Sequence, residues 1–330
     1  SIALPLDIPP GRGGIRPEIA LTYSPRGGNG PFGTGWGLDF GFIERSTKNG
    51  IPGFTDQDTF IFSLGGGTAE LVPVGGGRYR PRVEGEFFDI RRDGDTWVIR
   101  DRNGRTYFFG LSALLNDESI ERDGQRIFRW RLSEVRDSYG NFYFIRHLKN
   151  GGFDIYYTGE PGTDRDGVNT ASQKFYARVT TEVEDAARND VLLNFRSGME
   201  QRIDKRIRAI NVYAAGHLQK RYVFAYEPSR RSGRSLLKQV TVYGADGAAA
   251  LPTLTLAYEE GALEYHLVGV IDDPVTGDNL WSFRHRGGYD RGHDNYGGVP
   301  PAHMAPLSSP VIAKSWKKSG SWTQDDYGRI

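Results

Sequence analysis

What most constrains this chain is a repeating unit: a short run alternating apolar and polar residues, followed by a turn that contains glycine. Phe87–Arg91, Thr96–Arg100 and Thr106–Phe109 are such runs, separated by Asp93-Gly94 and Asn103-Gly104. Period two places one set of side chains on each face of a strand. The two dipeptides favour type I′ turns, whose twist matches that of a hairpin. The pattern resumes at Phe128–Val135, Phe142–Leu148 and Phe153–Thr158, with Tyr139-Gly140-Asn141 and Asn150-Gly151-Gly152 between them. It continues through Ala177–Glu184, Val191–Phe195, Ile203–Tyr213, Leu218–Glu227, Leu237–Tyr243 and Leu254–Tyr258. Glycine supplies 44 of 330 residues, nearly double the usual share of roughly 7 %. The expected fold is all-β, built from many short antiparallel strands and hairpins. Ser112–Arg126 is one of the few stretches that read as a helix.

A second regularity is Asp, two residues, Gly, a polar residue, then an apolar or aromatic one. It occurs at Asp101–Thr106, Asp137–Phe142 and Asp325–Ile330, marking Asp101, Gly104, Asp137, Gly140, Asn141, Asp325 and Gly328. An Asp that caps its own backbone and a Gly free to take φ > 0 explain the spacing. Its recurrence predicts a sheet extended hairpin by hairpin, an array rather than one closed sandwich. Upstream, Ile2–Pro10 is extended by its prolines, and Ile19, Leu21 and Tyr23 alternate as a half-buried strand. Gly27–Gly37 is a glycine-dense loop around Trp36. Gly33, Gly35 and Gly37 let the backbone turn tightly and pass beneath the indole ring, so Trp36 is expected to be buried in a structural knot.

Little in the sequence carries chemistry. The formal charge of +1 argues against a nucleic-acid binder. The absence of Cys removes disulfides, thiolate metal sites and a cysteine nucleophile. No apolar run reaches the roughly 18 residues that would span a bilayer. Glu182-Val183-Glu184 has the form of a transferase Glu-x-Glu pair, but Thr170-Ala171-Ser172 and Arg178 are poor substitutes for the elements such a site needs. His285, Asp290, His293, Asp294 and His303 cluster without a ligand spacing, and Asp164–Gly167 is half a calcium loop without its Glu. These read as solvated loop residues, and neither a metal nor a cofactor is expected. Gly65-Gly66-Gly67 and Gly75-Gly76-Gly77 precede strands, not helices, so they do not cradle a dinucleotide. Tyr107, Phe109, Tyr143 and Phe144 read as cross-strand pairs rather than a stacking platform.

Several segments resemble one family. Pro9-Pro10-Gly11, Pro17, Leu21-Thr22-Tyr23-Ser24, Gly33, Gly35-Trp36-Gly37-Leu38 and Ile43–Arg45 are similar to the opening of the SpvB-type domain. That domain is found in a Salmonella virulence protein and begins the B component of Tc insecticidal toxins. Asp56–Phe60, Asp101–Gly110, Trp130–Leu132, Asp137–Asn141, Arg208–Tyr213 and Ser235-Leu236-Leu237 follow the same pattern. The resemblance covers 1–260. Residues 261–330 resemble the middle region of the same toxin component, leading into a first Rhs/YD repeat at Asp325–Ile330.

The resemblance implies a non-enzymatic segment of a curved Rhs/Tc-type shell sheet, enclosing a C-terminal toxic polypeptide of a secreted or injected bacterial toxin. The implied partners are the rest of the same polypeptide or a companion Rhs chain, and the enclosed cargo. From Ser1 to the unfinished motif at Ile330, the sequence reads as a piece of a longer polypeptide. A cell-surface or glycan-binding β-module is the alternative, and a virulence protein associated with ADP-ribosyltransferase activity is the third.

Overall fold

A computed structural model describes residues 2–83, 85, 87–111, 117–161, 176–248 and 250–258, and the backbone of three further short strands. The chain forms two compact units, Ser1–Gly261 and Ala262–Ile330.

The first unit opens with β1 (Ile2–Pro5) and β2 (Ala20–Tyr23), then three two-residue strands, β3 (Asn29–Gly30), β4 (Gly33–Thr34) and β5 (Trp36–Gly37). A run of hairpins follows: β6 (Phe42–Arg45), β7 (Phe60–Leu64), β8 (Gly67–Gly75), β9 (Arg78–Pro81), β10 (Asp89–Asp93), β11 (Thr96–Arg100) and β12 (Thr106–Phe109). Next come β13 (Ile120–Asp123) and β14 (Arg126–Arg136), the pivot of the fold. Arg129–Arg131 of β14 pair with β6, and Leu132–Arg136 pair with β12. The sheet thereby returns on itself as an eight-stranded barrel, β14 and β6 through β12. Eight strands leave an interior that side chains can fill. Ile43, Phe60, Phe62, Ile90, Trp97, Phe109 and Trp130 fill it, all buried.

The same β14 also pairs with β15 (Phe142–His147), and from there the sheet runs on as an open arm. The arm adds β16 (Phe153–Gly159), β17 (Ala177–Val183), β20 (Ile207–Ala214), β21 (His217–Pro228), β22 (Ser235–Tyr243) and β23 (Leu254–Thr255). Between β17 and β20 lies a separate hairpin, β18 (Leu192–Asn194) with β19 (Gln201–Ile203). One face of the arm is apolar, and the N-terminal segment covers it. Leu6, Ile8, Ile15 and Phe32 join one core with Ile155, Val179, Val212, Phe224 and Leu237. Polar contacts fix the strap: Tyr157 Oη donates to Pro9 O at 3.1 Å, and the Asp7 N–H to Tyr222 Oη at 2.9 Å. In the second unit, β24 (Trp281–Ser282), β25 (Ile312–Ser315) and β26 (Tyr327–Arg329) form a three-stranded antiparallel sheet.

The chain is all-β, as the periodicity implies, but several local expectations are corrected. Ile120–Asp123 is an edge strand within the stretch read as a helix, because Ile120 packs against the core only when β13 pairs with β14. Part of the array closes into a barrel, because β14 is long enough to hold two partners along each of its edges, while from β15 to β23 it stays open and grows strand by strand. Phe87 precedes its strand, with φ at 55°. Ile203–Tyr213 is two strands, broken where the Asp204 and Lys205 N–H groups both turn to Asn150 Oδ1. At Asp93-Gly94 the register pairs Asp93 with Thr96, leaving Gly94-Asp95 as the central residues. Positive φ at Gly94 alone matches a type II′ turn, not I′. Type I′ geometry sits instead at Asn150-Gly151, with φ of 59° and 72°.

Candidate functional site

The two Asp-x-x-Gly motifs of the first unit, one between β11 and β12 and one between β14 and β15, have the same geometry. In each, the Gly N–H donates to the Asp carbonyl at 3.1 Å, from Gly104 to Asp101 and from Gly140 to Asp137. The Asp101 carboxylate accepts the N–H groups of Asn103 and Arg105, both at 2.9 Å. Asp137 accepts those of Tyr139 and Asn141, again at 2.9 Å. Gly104 at φ 80° and Gly140 at φ 86° close a type I turn with a G1 bulge. The reading of Asn103-Gly104 as type I′ is therefore corrected, since the Asp carboxylate stabilises the right-handed first turn. Asn141 adds its own bond, Nδ2 to Asp137 Oδ2 at 2.8 Å. The third motif differs: Gly328 lies within β26, paired with Ala313, so a strand stands where a turn was expected. Asp325 lies outside the described residues.

Trp36 is 3 % exposed. Its indole N–H donates to Tyr258 Oη at 2.8 Å, and Tyr258 Oη donates to Leu237 O at 2.7 Å. The Tyr23 ring packs against the indole with centroids 5.2 Å apart. Gly35, at φ 80°, lies so close to Tyr23 that a Cβ would come within 2.5 Å of Cε2. Gly33, at φ 83°, abuts the arm backbone: a Cβ there would meet Ser235 O at 2.8 Å. Gly37 differs. It pairs with Thr22, and a Cβ on it would meet open space, so no steric demand falls on that position.

Beside this knot lies a charged node that the sequence did not disclose. The Arg188 side chain is 0 % exposed. It donates to Asp190 Oδ1 at 2.8 Å, to Gly30 O at 2.8 Å and to Asn29 Oδ1 at 2.7 Å. Asp190 in turn accepts the Ser235 N–H at 2.6 Å, Ser235 Oγ at 2.8 Å and Asn29 Nδ2 at 2.7 Å. Burial alone would raise the Asp190 pKa, but these hydrogen bonds outweigh it and hold the carboxyl well below its ordinary range. The node ties the glycine-dense loop to the first residue of β22. Arg188-Asn189-Asp190 is indistinguishable in sequence from any polar loop.

The Glu182-Val183-Glu184 pair is held in ion pairs. Glu182 is bound by Arg208 at 3.0 Å, Arg221 at 2.9 Å and Asn211 at 2.8 Å, and Glu184 by Arg206 at 2.7 Å. The two acids therefore do not simply face solvent, as expected of a bare strand. Phe109 and Phe144 are buried in the sheet, and Tyr107 and Tyr143 are half-buried, leaving no open stacking platform there. His285, Asp290, His293, Asp294, His303 and Asp164–Gly167 lie outside the described residues. Among the described residues, no group of three His, Asp or Glu side chains is placed to hold a metal, and no helix is long and apolar enough to cross a membrane.

A cleft of about 830 Å³ lies between the outer wall of the barrel, the β18–β19 hairpin and the turn at Lys149–Gly152. His147 reaches its floor, donating from Nε2 to Leu132 O at 2.7 Å. Burial, aided by the positive charge of Arg131, pushes its pKa down to about 3. An unfolded chain takes up this proton near pH 6.5, whereas the folded one stays neutral until about pH 3. Stability should therefore fall as pH drops below about 6.5, at up to about 1.4 kcal/mol per pH unit from this residue. Urea melts between pH 4 and 7 test this: His147→Gln keeps a donor for Leu132 and should flatten the slope.

These features define a class: a sheet-built scaffold whose polar clusters lock one part of the chain to another. The family described as Salmonella virulence plasmid 65kDa B protein, SpvB, matches residues 1–181, more than half of the chain. The chain belongs to the SpvB family. The mono(ADP-ribosyl)transferase SpvB of Salmonella choleraesuis is 29 % identical over 211 residues, and that of Salmonella typhimurium 28 %. Each match covers 54 % of this chain and 35 % of the relative, so the chain spans about a third of the curated relatives it matches. Among solved structures, the N-terminal domain of effector protein SpvB from Salmonella typhimurium is similar with a TM-score of 0.60. The likeness has 20 % identity and covers 74 % of this chain and 98 % of that one. TcdB2-TccC3 without its hypervariable C-terminal region gives a TM-score of 0.64 at 22 % identity, covering 79 % of this chain and 16 % of that one. These likenesses establish a shared fold.

Proposed function

We propose that this chain is a non-enzymatic structural segment of a bacterial toxin, and that its sheet forms part of a wall around a toxic polypeptide before delivery. The observation that carries the reading is the continuity of the sheet. One strand, β14, belongs at once to a closed barrel and to an arm that grows strand by strand away from it. Such a sheet extends by adding hairpins, and its ladder hydrogen bonds exclude water and proteases without any reactive group. The SpvB kinship and the fold shared with TcdB2-TccC3 support the same reading. On this reading, 1–260 is the SpvB-type β domain and 261–330 leads into an Rhs/YD repeat. Gly33, Gly35, Trp36 and the Asp-x-x-Gly turns are structural devices. The partners are more of the same polypeptide or a companion Rhs chain, together with the cargo, in a protein exported or injected by a bacterium.

The transferase name carried by the relatives marks the decisive control. Glu182→Gln with Glu184→Gln should leave NAD turnover at the level of the unaltered chain, namely background. The paired substitution should instead cost stability, because Arg206, Arg208 and Arg221 each lose a carboxylate partner, although Arg208 keeps Asp185 and Arg206 keeps Ser235. NAD turnover by the unaltered chain that disappears in a folded double variant would replace this reading with an enzymatic one.

A further inference from the structure

The charges around the cleft beside the barrel are paired unevenly. Its arginines are occupied. Arg131 donates to Glu121 at 2.9 Å and to Glu118 O at 2.6 Å, Arg129 pairs with Glu44 at 2.6 Å, and Arg202 pairs with Asp204 at 3.1 Å. Glu121 is occupied as well, since Gln201 and Arg129 also donate to it. On the wall near Arg131, two acceptors stay open. The half-buried Glu118 carboxylate makes no hydrogen bond or ion pair among the described residues, although it feels the charge of Arg131. Glu118 is fixed beside His147, because its N–H donates to His147 O at 2.8 Å. Both residues line the cleft, and His147 is only 7 % exposed. A carbonyl can only accept, so the bond from His147 Nε2 to Leu132 O places the proton on Nε2. Nδ1 is then a bare lone pair, without a partner among the described residues. The wall around these acceptors is acidic: the carboxylates of Glu44, Asp117, Glu118 and Glu121 stand against the guanidinium groups of Arg129 and Arg131. Beside it the lining turns apolar, with Leu38, Phe40 and Phe153. Phe40 is half-buried and meets the His147 ring nearly edge to face, with centroids 6.2 Å apart.

We propose that this cleft binds a primary alkylammonium group. The ammonium donates to His147 Nδ1 and to the Glu118 carboxylate, and its alkyl chain lies along Leu38 and Phe40. An anion would meet the surplus of carboxylates, and a purely apolar ligand would strip water from two acceptors without replacing it. An ammonium satisfies both, and an aromatic ring within about 6 Å attracts it further. The same chemistry is carried by a free alkylamine and by a lysine side chain of another polypeptide. The site stands on the cleft alone and does not depend on the sheet forming a wall around a cargo.

Pentylammonium, pentanol and pentanoate share a chain and differ in the head group, so titration calorimetry of the full chain with each isolates the charge. Pentylammonium should bind saturably, and the other two should not. Its binding should move the His147 Nδ1 nitrogen resonance upfield, as happens when a bare ring nitrogen accepts a hydrogen bond. Glu118→Gln keeps the shape of the side chain, removes its charge and should weaken binding about tenfold, the scale of one hydrogen bond to a charged group. An unchanged urea midpoint shows that the variant is folded. Nα-acetyl-lysine methylamide separates the two sources: tighter binding than pentylammonium assigns the site to a partner's lysine, and weaker binding assigns it to a free amine. Equal binding of pentanol, an unmoved His147 Nδ1 resonance, or undiminished binding by the folded Glu118→Gln variant would each overturn the proposal.

Discussion

Replacing Asp190 with Ala should destabilise the first unit by about 3–5 kcal/mol, the range seen when one member of a buried ion pair is removed. The magnitude comes from what remains behind. Arg188 is fully buried, and without the carboxylate its charge keeps only the carbonyl of Gly30 and the side-chain oxygen of Asn29. The Ser235 N–H and hydroxyl lose their acceptor at the same time. Urea denaturation at neutral pH checks the loss. Arg188→Met combined with Asp190→Leu should recover part of it, since removing both charges leaves no uncompensated ion. A single Asp190→Ala that melts with the unaltered chain would show that the node does not fasten the loop to the arm.

Trp36→Ala should cost a similar amount, about 3–5 kcal/mol, because the indole is core and its loss leaves a large cavity. Trp36→Phe separates two contributions. It keeps most of the ring packing against Tyr23 but removes the donor to Tyr258, and should cost about 1 kcal/mol more than the shape change alone. The expected order is unaltered chain, then Phe, then Ala, read from thermal or urea midpoints. If all three melt together, the glycine-dense loop is not part of the core and its conformation serves some other purpose.

Both substitutions strike one junction. Residues 29–36 are held to Arg188, Ser235, Leu237 and Tyr258, so the N-terminal strap and the last strands of the arm are fastened at the same place. This is a mechanical arrangement. The strap supplies the second apolar layer that an isolated sheet lacks, and the knot keeps it from sliding along the arm. Opening the junction should therefore expose the arm's apolar face as well as loosening the loop.

Much of this was present in the order of the residues. Thr96–Arg100 and Thr106–Phe109 could be read to the residue, because alternation and turn chemistry are local properties of five or six neighbours. The turns at Asp101–Gly104 and Asp137–Gly140 were legible for the same reason, though not the turn type at Asn103-Gly104, and so was the burial of Trp36 beside Gly33 and Gly35. Family kinship was legible too, since it depends on the order of such motifs. What tertiary structure alone decided depends on residues far apart in the chain. Barrel closure rests on β14 meeting β6 and β12 at once, and β13 is a strand because that pairing was available to it. The Arg188–Asp190 node joins residues 45 and 161 positions apart, and the cleft exists only because β13 and β19 end up on either side of it. A strand's period determines which side chains share a face, but the partner on each edge is chosen by long-range packing, and edges are where this sheet closes into the barrel.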